Sequence, residues 1–321
     1  MPVRVAEEWL GSCSGCEISI LNLGETLLTV LPQLEFVHIP VLMDHKYFGQ
    51  TGQGDVHHLD IPPATVGIIS GNIRNQEHLE VAMAMRASCD VLIALGTCAT
   101  HGGIPALINA CSDAELFERY YRGSESTDAA ADPDDPNLPR MLPRTYALDE
   151  KVKVDLYLPG CPPHPDQIAE AITALLEGRA PVLPSKSVCD TCPTRREGKG
   201  AVKQVRRFLQ NPQYDPAKPL AEMRCLLEQG LLCMGPVTRA GCAGAHGESP
   251  RCLSARVPCR GCYGPVRQDG NQMLDMLNAL ASNGIDIKGV IDRPSLLRFS
   301  GAHGRLMNPS RRLPAGQKQG A

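Results

Sequence analysis

The chain has 321 residues, room for roughly two domains at ~150 residues each; 43% of them are hydrophobic but only 4% aromatic, so Val, Ile, Leu, Ala and Met must fill the interior. A formal charge of -3 without a clustered basic stripe excludes a phosphate-tracking nucleic-acid groove. No run approaches ~18 uninterrupted apolar residues, so no membrane span is expected, and 14 cysteines demand an explanation.

The opening, MPVRVAEEWLGS, has neither a basic segment with a long apolar stretch nor a twin-arginine pair, so it reads as mature protein rather than as a targeting peptide. Residues 3–10 read as a buried strand. WLGSCSGCEISIL follows, with Cys13 and Cys16 three positions apart, and leads into a helix expected over 17–31. GQTGQGD, residues 49–55, lacks the Gly-Lys-Ser/Thr ending of a phosphate loop, and His57 and His58 have no spaced partner. Further strands are expected at 34–42, 65–71, 90–97 and 153–160, and helices at 77–87, 113–121 and 165–176. The β-branched, nearly continuous apolar runs TVGIIS and DVLIALG suit a sheet covered on both faces. Strand alternating with helix implies parallel pairing with right-handed crossovers. Residues 1–180 are therefore expected to form an α/β domain, a flavodoxin-like doubly wound parallel sheet, with the acidic, Pro-rich 124–140 as a surface insertion.

From 181 to 321 the texture changes to a loop-rich, mostly helical domain, with helices expected at 200–210, 220–229 and 272–281. MGPVTRAGCAGAHGESPRC and SARVPCRGCYGP carry too few periodic apolar residues to fold around a hydrophobic core alone. Something else must organise this half.

Cysteines are the candidates. Disulfide scaffolds are short and exported, and neither description fits. Cys13 and Cys16 follow the first strand, Cys98 the fourth and Cys161 the fifth, and an open parallel sheet gathers the carboxyl ends of its strands on one edge. Gly11, Gly15, Gly96 and Gly160 beside them would let backbone approach a bulky group, and Cys16 opens a helix whose dipole favours a thiolate. A thioredoxin-like dithiol would need no partners beyond Cys13 and Cys16, and a structural zinc site, the basis of a zinc-stapled interaction protein, more often pairs two CxxC knuckles. One knuckle with two single cysteines is more typical of an iron-sulfur cluster on a sheet. Chain order divides the remaining ligands into Cys189, Cys192, Cys225 and Cys233, then Cys242, Cys252, Cys259 and Cys262. Cys89 and Cys111 are left as small buried hydrophobes. Three clusters without substrate-pocket residues make a wire for single electrons.

CSGCEIS, GTCATHGGIPA, LPGCPPHP and CMGPVTRAGC…PCRGC, in this order, resemble the small, electron-transferring subunit of nickel-iron hydrogenases over nearly the whole chain. The related complex I subunit shares the α/β domain and a proximal cluster but stops short of the C-terminal cysteines. The resemblance implies three 4Fe-4S clusters: proximal on Cys13, Cys16, Cys98 and Cys161, distal on Cys189, Cys192, Cys225 and Cys233, medial on Cys242, Cys252, Cys259 and Cys262. The nickel-iron centre would be held by a separate large subunit, leaving no catalytic residue here. Periplasmic relatives carry a His distal ligand and a proline in place of a medial one; Cys189 and Cys252 stand there instead, which implies a lower medial potential. These features are most similar to the cytoplasmic methyl-viologen-reducing branch, its gamma subunit, which works with heterodisulfide reductase through a 2Fe-2S or flavin subunit. Sulfhydrogenase-type and deazaflavin-reducing small subunits are the neighbouring readings, the latter usually carrying a ferredoxin-like spacing absent here.

Glu17 resembles a residue near the family's proton route, or is simply a helix-start carboxylate. Ser70 stands where many relatives have a glutamate at the subunit interface. His101 is either a donor to a cluster sulfur or a loop histidine. RREGKGAVKQVRR, 195–207, reads as a solvated helix face or as a dock for an acidic redox partner, and RLMNPSRRLPAGQKQGA as a polar tail without a membrane anchor.

Overall fold

The structure, a computed structural model, describes residues 2–50, 52, 59–126, 131–198, 202–206, 212–245, 248–290 and 292–308. His57, His58, most of 49–55 and the tail beyond 308 lie outside the described residues. Five parallel strands form the main sheet: β1 (Val3–Trp9), β2 (Leu34–His38), β3 (Ala64–Ser70), β5 (Cys89–Leu95) and β7 (Leu156–Leu158). Their order is β2-β1-β3-β5-β7, the flavodoxin-like doubly wound arrangement. A separate antiparallel pair joins β4 (Ile73–Asn75) to β6 (Met141–Tyr146), which the sequence reading missed because neither strand has a long apolar run.

Alternation along each strand divides the side chains between the two faces. On β5, Leu92 and Ala94 join one apolar cluster with Ala6, Ile69 and Met85, while Ile93 and Leu95 join the other with Val66, Leu158, Ile168 and Ala171. The second face is covered by α1 (Gly15–Leu21), α2 (Glu25–Val30) and α6 (Pro165–Leu176). The first face packs on α3 (Gln76–Ser88), whose N-terminus is capped by Asn75, its Oδ1 accepting from His78 N at 2.8 Å. After β5 comes the short α4 (Gly96–His101), and α5 (Asp113–Phe117) starts on the Ser112–Glu115 capping box and continues as a π-helical turn.

Several sequence expectations are corrected. The single helix over 17–31 is two, because the chain turns at 22–24 with Gly24 at φ +56°. The second strand stops at His38, and the fifth is confined to Leu156–Leu158. Residues 220–229 form a 3-10 turn at Leu220–Glu222 followed by turns, since Arg224 bridges to Arg195 instead of continuing a helix. Within 200–210, the described residues 202–206 are extended, Gln204 bridging Asp286 and Arg206 bridging Leu231, so no helix forms there.

The C-terminal half, whose two loop runs were expected to carry too few periodic apolar residues to fold around a hydrophobic core alone, nonetheless has an apolar cluster of its own. Met223, Leu226, Leu231, Met276, Leu280 and Leu296 form its centre, and Cys233 and Cys259 are built into it. Of the helices in this half, α7 (Arg251–Ser254) is one turn, and α8 (Gln272–Ser282) matches expectation and lays Met276 and Leu280 on the cluster. The halves are joined by buried polar contacts: Thr97 Oγ1 donates to Cys262 O at 2.5 Å, and His164 N to the Tyr263 hydroxyl at 2.7 Å. Among the described residues, no helix is long and apolar enough to cross a membrane.

Candidate metal centres

Three strands deliver the first four cysteines to one edge of the sheet. β1 runs through Gly11 into α1, whose second residue is Cys16; β5 runs directly into α4, whose third is Cys98; Cys161 follows β7 after Pro159 and Gly160. Cys16 is buried, Cys98 and Cys161 half-buried, and Cys13 exposed. The sulfurs sense one another. Burial, then Glu17, then Cys98, Cys161 and Cys13 push the Cys16 thiol far up. Burial, then Cys161, Cys13 and Glu17 push Cys98 to about 12, and burial followed by Cys13 raises Cys161.

Two glycines make this approach possible. At Gly96, φ is +82° and a Cβ would fall 2.3 Å from Cys16 Sγ; at Gly103, φ is +59° and a Cβ would fall 2.5 Å from Cys98 Sγ. Gly103 was not singled out from sequence, although the doubled glycine of THGGIP was its signal. The expectation for Gly11 is corrected: the space its side chain would fill is taken by Asn72, not by a sulfur.

Cys189, Cys192, Cys225 and Cys233 line one pocket, together with Thr194, Arg196 and Gly235. Burial, against the Arg196 guanidinium, brings Cys189 to about 11, with Cys225 and Cys192 raising it further. Burial takes Cys233 to about 12 against N–H donors from Gly235 and Cys259, the latter at 3.3 Å. In the last set, burial, Cys242, Cys252 and Cys161 bring Cys262 to about 12 while the Cys161 N–H donates to its sulfur. Burial drives Cys259 far up, followed by Cys233, with an opposing Gly261 N–H, then Cys262 and Cys252. Cys242 is raised by burial against an Arg251 N–H, then by Cys252.

The structure thus brings Cys189, Cys192, Cys225 and Cys233 to one pocket. Two contacts cross between sets: the Cys161 N–H faces the Cys262 sulfur, and Cys259 N donates to Cys233 Sγ at 3.3 Å. Cys89 is elsewhere, in the core beside Gly67, its thiol lifted to about 11 by burial. Cys111 follows the helical segment Ile104–Ala110.

These sites fit iron-sulfur clusters. Among the described residues no three Cys, His, Asp or Glu side chains converge tightly enough for a single metal ion, and Cys189, Cys192, Cys225 and Cys233 face a shared space wide enough for a larger group. Buried thiols that raise one another resist ionisation until a bound cationic group displaces their protons to solvent, and backbone N–H groups aimed at sulfur stabilise the resulting thiolates.

Glu17 is buried and faces the carboxyl of Glu7, and among the described residues no N–H meets the oxygens of either. Glu7, also unremarked from sequence although it interrupts an apolar strand, is pushed up to about 9 by burial, then by Glu17 and Glu8. Ser70 is buried, its hydroxyl without a hydrogen-bond partner among the described residues. His101 is no loop histidine: it ends α4, fully buried, with both ring nitrogens unpartnered, edge-on to His303 at 6.4 Å and pressed against Gly264. Burial, then Arg305, His303 and Arg239 hold it neutral. Arg195 and Arg196 are exposed, Arg195 paired with Glu197 at 2.5 Å.

A family model described as NADH ubiquinone oxidoreductase, 20 Kd subunit, matches residues 13–175. The chain is 39% identical over 300 residues to a subunit of the vhu F420-non-reducing hydrogenase of Methanococcus voltae, covering 93% of this chain and 95% of the relative. It is 33% identical over 304 residues to an iron-sulfur subunit of the F420-non-reducing hydrogenase of Archaeoglobus profundus, covering 88% of each. Among solved structures, a chain of an NAD+-reducing NiFe hydrogenase in the H2-reduced state is similar at a TM-score of 0.51 and 30% identity, over 57% of this chain and 96% of that one.

Proposed function

Because this chain belongs to the NADH ubiquinone oxidoreductase 20 Kd subunit family and, within it, to the hydrogenase small subunits, a subunit of an oxidoreductase complex, we propose that it relays electrons from H2 oxidised on a separate nickel-iron large subunit. The observation that carries this reading is the succession of three thiol sets, coupled at Cys161–Cys262 and at Cys233–Cys259. In it, residues 1–180 are the flavodoxin-like domain and 181–321 a second domain.

Cys13, Cys16, Cys98 and Cys161 would hold a proximal 4Fe-4S cluster; Cys242, Cys252, Cys259 and Cys262 a medial one; Cys189, Cys192, Cys225 and Cys233 a distal one. A bound cluster supplies reversible one-electron chemistry, with potentials spanning about -700 to about +450 mV according to hydrogen bonding, charge and exposure. The protein's share is positioning and tuning. Gly96 and Gly103 make room at the first set, N–H groups of Gly235, Cys259, Gly261, Arg251 and Cys161 point at sulfurs, and Arg196 sets a positive charge beside Cys189. Glu17, buried next to Cys16, is the residue we assign to proton traffic at the subunit boundary. We infer that the acceptor is a 2Fe-2S or flavin subunit of heterodisulfide reductase type, met at the Cys189–Cys192 end in the cytoplasm. The F420-non-reducing names of the relatives favour this over a deazaflavin-reducing complex.

The test is anaerobic co-purification followed by H2 titration watched by electron paramagnetic resonance. Three reducible 4Fe-4S signals, one lost in each of Cys98→Ser, Cys252→Ser and Cys189→Ser, are expected; zinc in place of iron would refute the relay.

A further inference from the structure

Between the main sheet and the helices α1, α2 and α6 lies a cavity of about 160 Å3. Its nineteen lining residues are aliphatic or aromatic with one exception, Glu7. The inner end is formed by buried residues, among them Glu7, Leu95 and Leu158, and reaches the underside of the first thiol set: Cys16 Sγ lies 3.9 Å from Leu95 O. The outer end is formed by Val3, Leu31, Leu34 and Leu176, half-buried residues at the starts of β1 and β2 and the ends of α2 and α6, so the cavity opens toward the edge of the sheet opposite the cysteines.

Protein interiors seldom hold voids larger than a water molecule, and lining atoms without neighbours forgo their contacts. Water does not suit this one. An ordered water needs two to four polar partners, and the lining offers only the Glu7 carboxyl, which is engaged with the carboxyl of Glu17. An apolar cavity of about 150 Å3 stays dry and accepts benzene or xenon. We propose that the space between the sheet and α1, α2 and α6 is a binding site for a small apolar molecule, up to the size of a single aromatic ring, that enters at the Val3–Leu176 end and comes to rest beneath Cys16. Nothing in this depends on the occupancy of the thiol sets, so it stands or falls apart from the electron relay.

The test uses the full chain purified anaerobically. Crystals pressurised with xenon should show a xenon peak in the cavity, and benzene in solution should raise the thermal midpoint. Ala171→Leu, which extends a buried side chain of α6 into the space, should abolish both effects, as should Ile172→Phe, built from a more tolerant half-buried position. Xenon without a benzene effect would restrict the site to gas-sized guests and still support it. Absence of a xenon peak, or ordered waters in the cavity bonded to Glu7, would overturn the proposal.

Discussion

Gly96 is the residue on which the first thiol set most depends. Its φ of +82° suits glycine, and any side chain would occupy the position of Cys16 Sγ. Gly96→Ala should therefore displace Cys16 and lower bound iron by about a third, one of three clusters, whereas Cys89→Ala, in the core away from the sets, should leave iron content unchanged. Iron and sulfide analysis of the two variants separates these outcomes. Glu7 makes a pH prediction. Its carboxyl ionises ordinarily near 4.5 but only near about 9 in the fold, so unfolding releases a proton across that window and stability falls as pH rises through it. Glu7→Gln should remove that slope, gaining on the wild type in denaturation midpoint from pH 5 toward pH 9; parallel curves for the two proteins would contradict the burial argument.

At the scale of elements, what was legible in the sequence followed from how much each segment decides for itself. β1, β3 and β5 are long, apolar and central, and α3, α6 and α8 are periodic and capped, so local pattern and tertiary environment agree. The segments over 200–210 and 220–229 have helical composition, but bridges of Arg224 to Arg195 and, within the described residues 202–206, of Arg206 to Leu231 hold backbone in extended pairs, a tertiary demand no local window contains. Strand ends and chain order suggest how the thiols group; Gly103, Arg196 and Glu7 went unnoticed because their importance lies in neighbours distant in sequence. Capping is a local effect and can be tested as one. Asn75→Ala removes the acceptor for His78 N and should cost about 1 kcal/mol, read as a shift in the urea midpoint with the slope preserved.

Across the whole molecule, the seam between halves is where the proposed relay would pass from one domain to the other. The Thr97 hydroxyl accepts from Gly160 N at 2.9 Å and donates to Cys262 O at 2.5 Å, so one side chain ties the strand-end loop of the first set to the backbone of the third. Thr97→Val leaves two buried backbone groups short of a partner, at about 1–3 kcal/mol each, and should slow electron passage between the two sets, visible as slower reoxidation of the proximal signal after a flash of H2. The joined halves carry three thiol sets in succession, with apolar packing in both to hold them rigid. The claim beneath all of this is that the sets grip inorganic iron-sulfur cages. Quantitative metal analysis of the anaerobically prepared full chain tests it most directly: about twelve irons with matching acid-labile sulfide, four for each set, is the predicted result, and negligible iron, or zinc in its place, would contradict it.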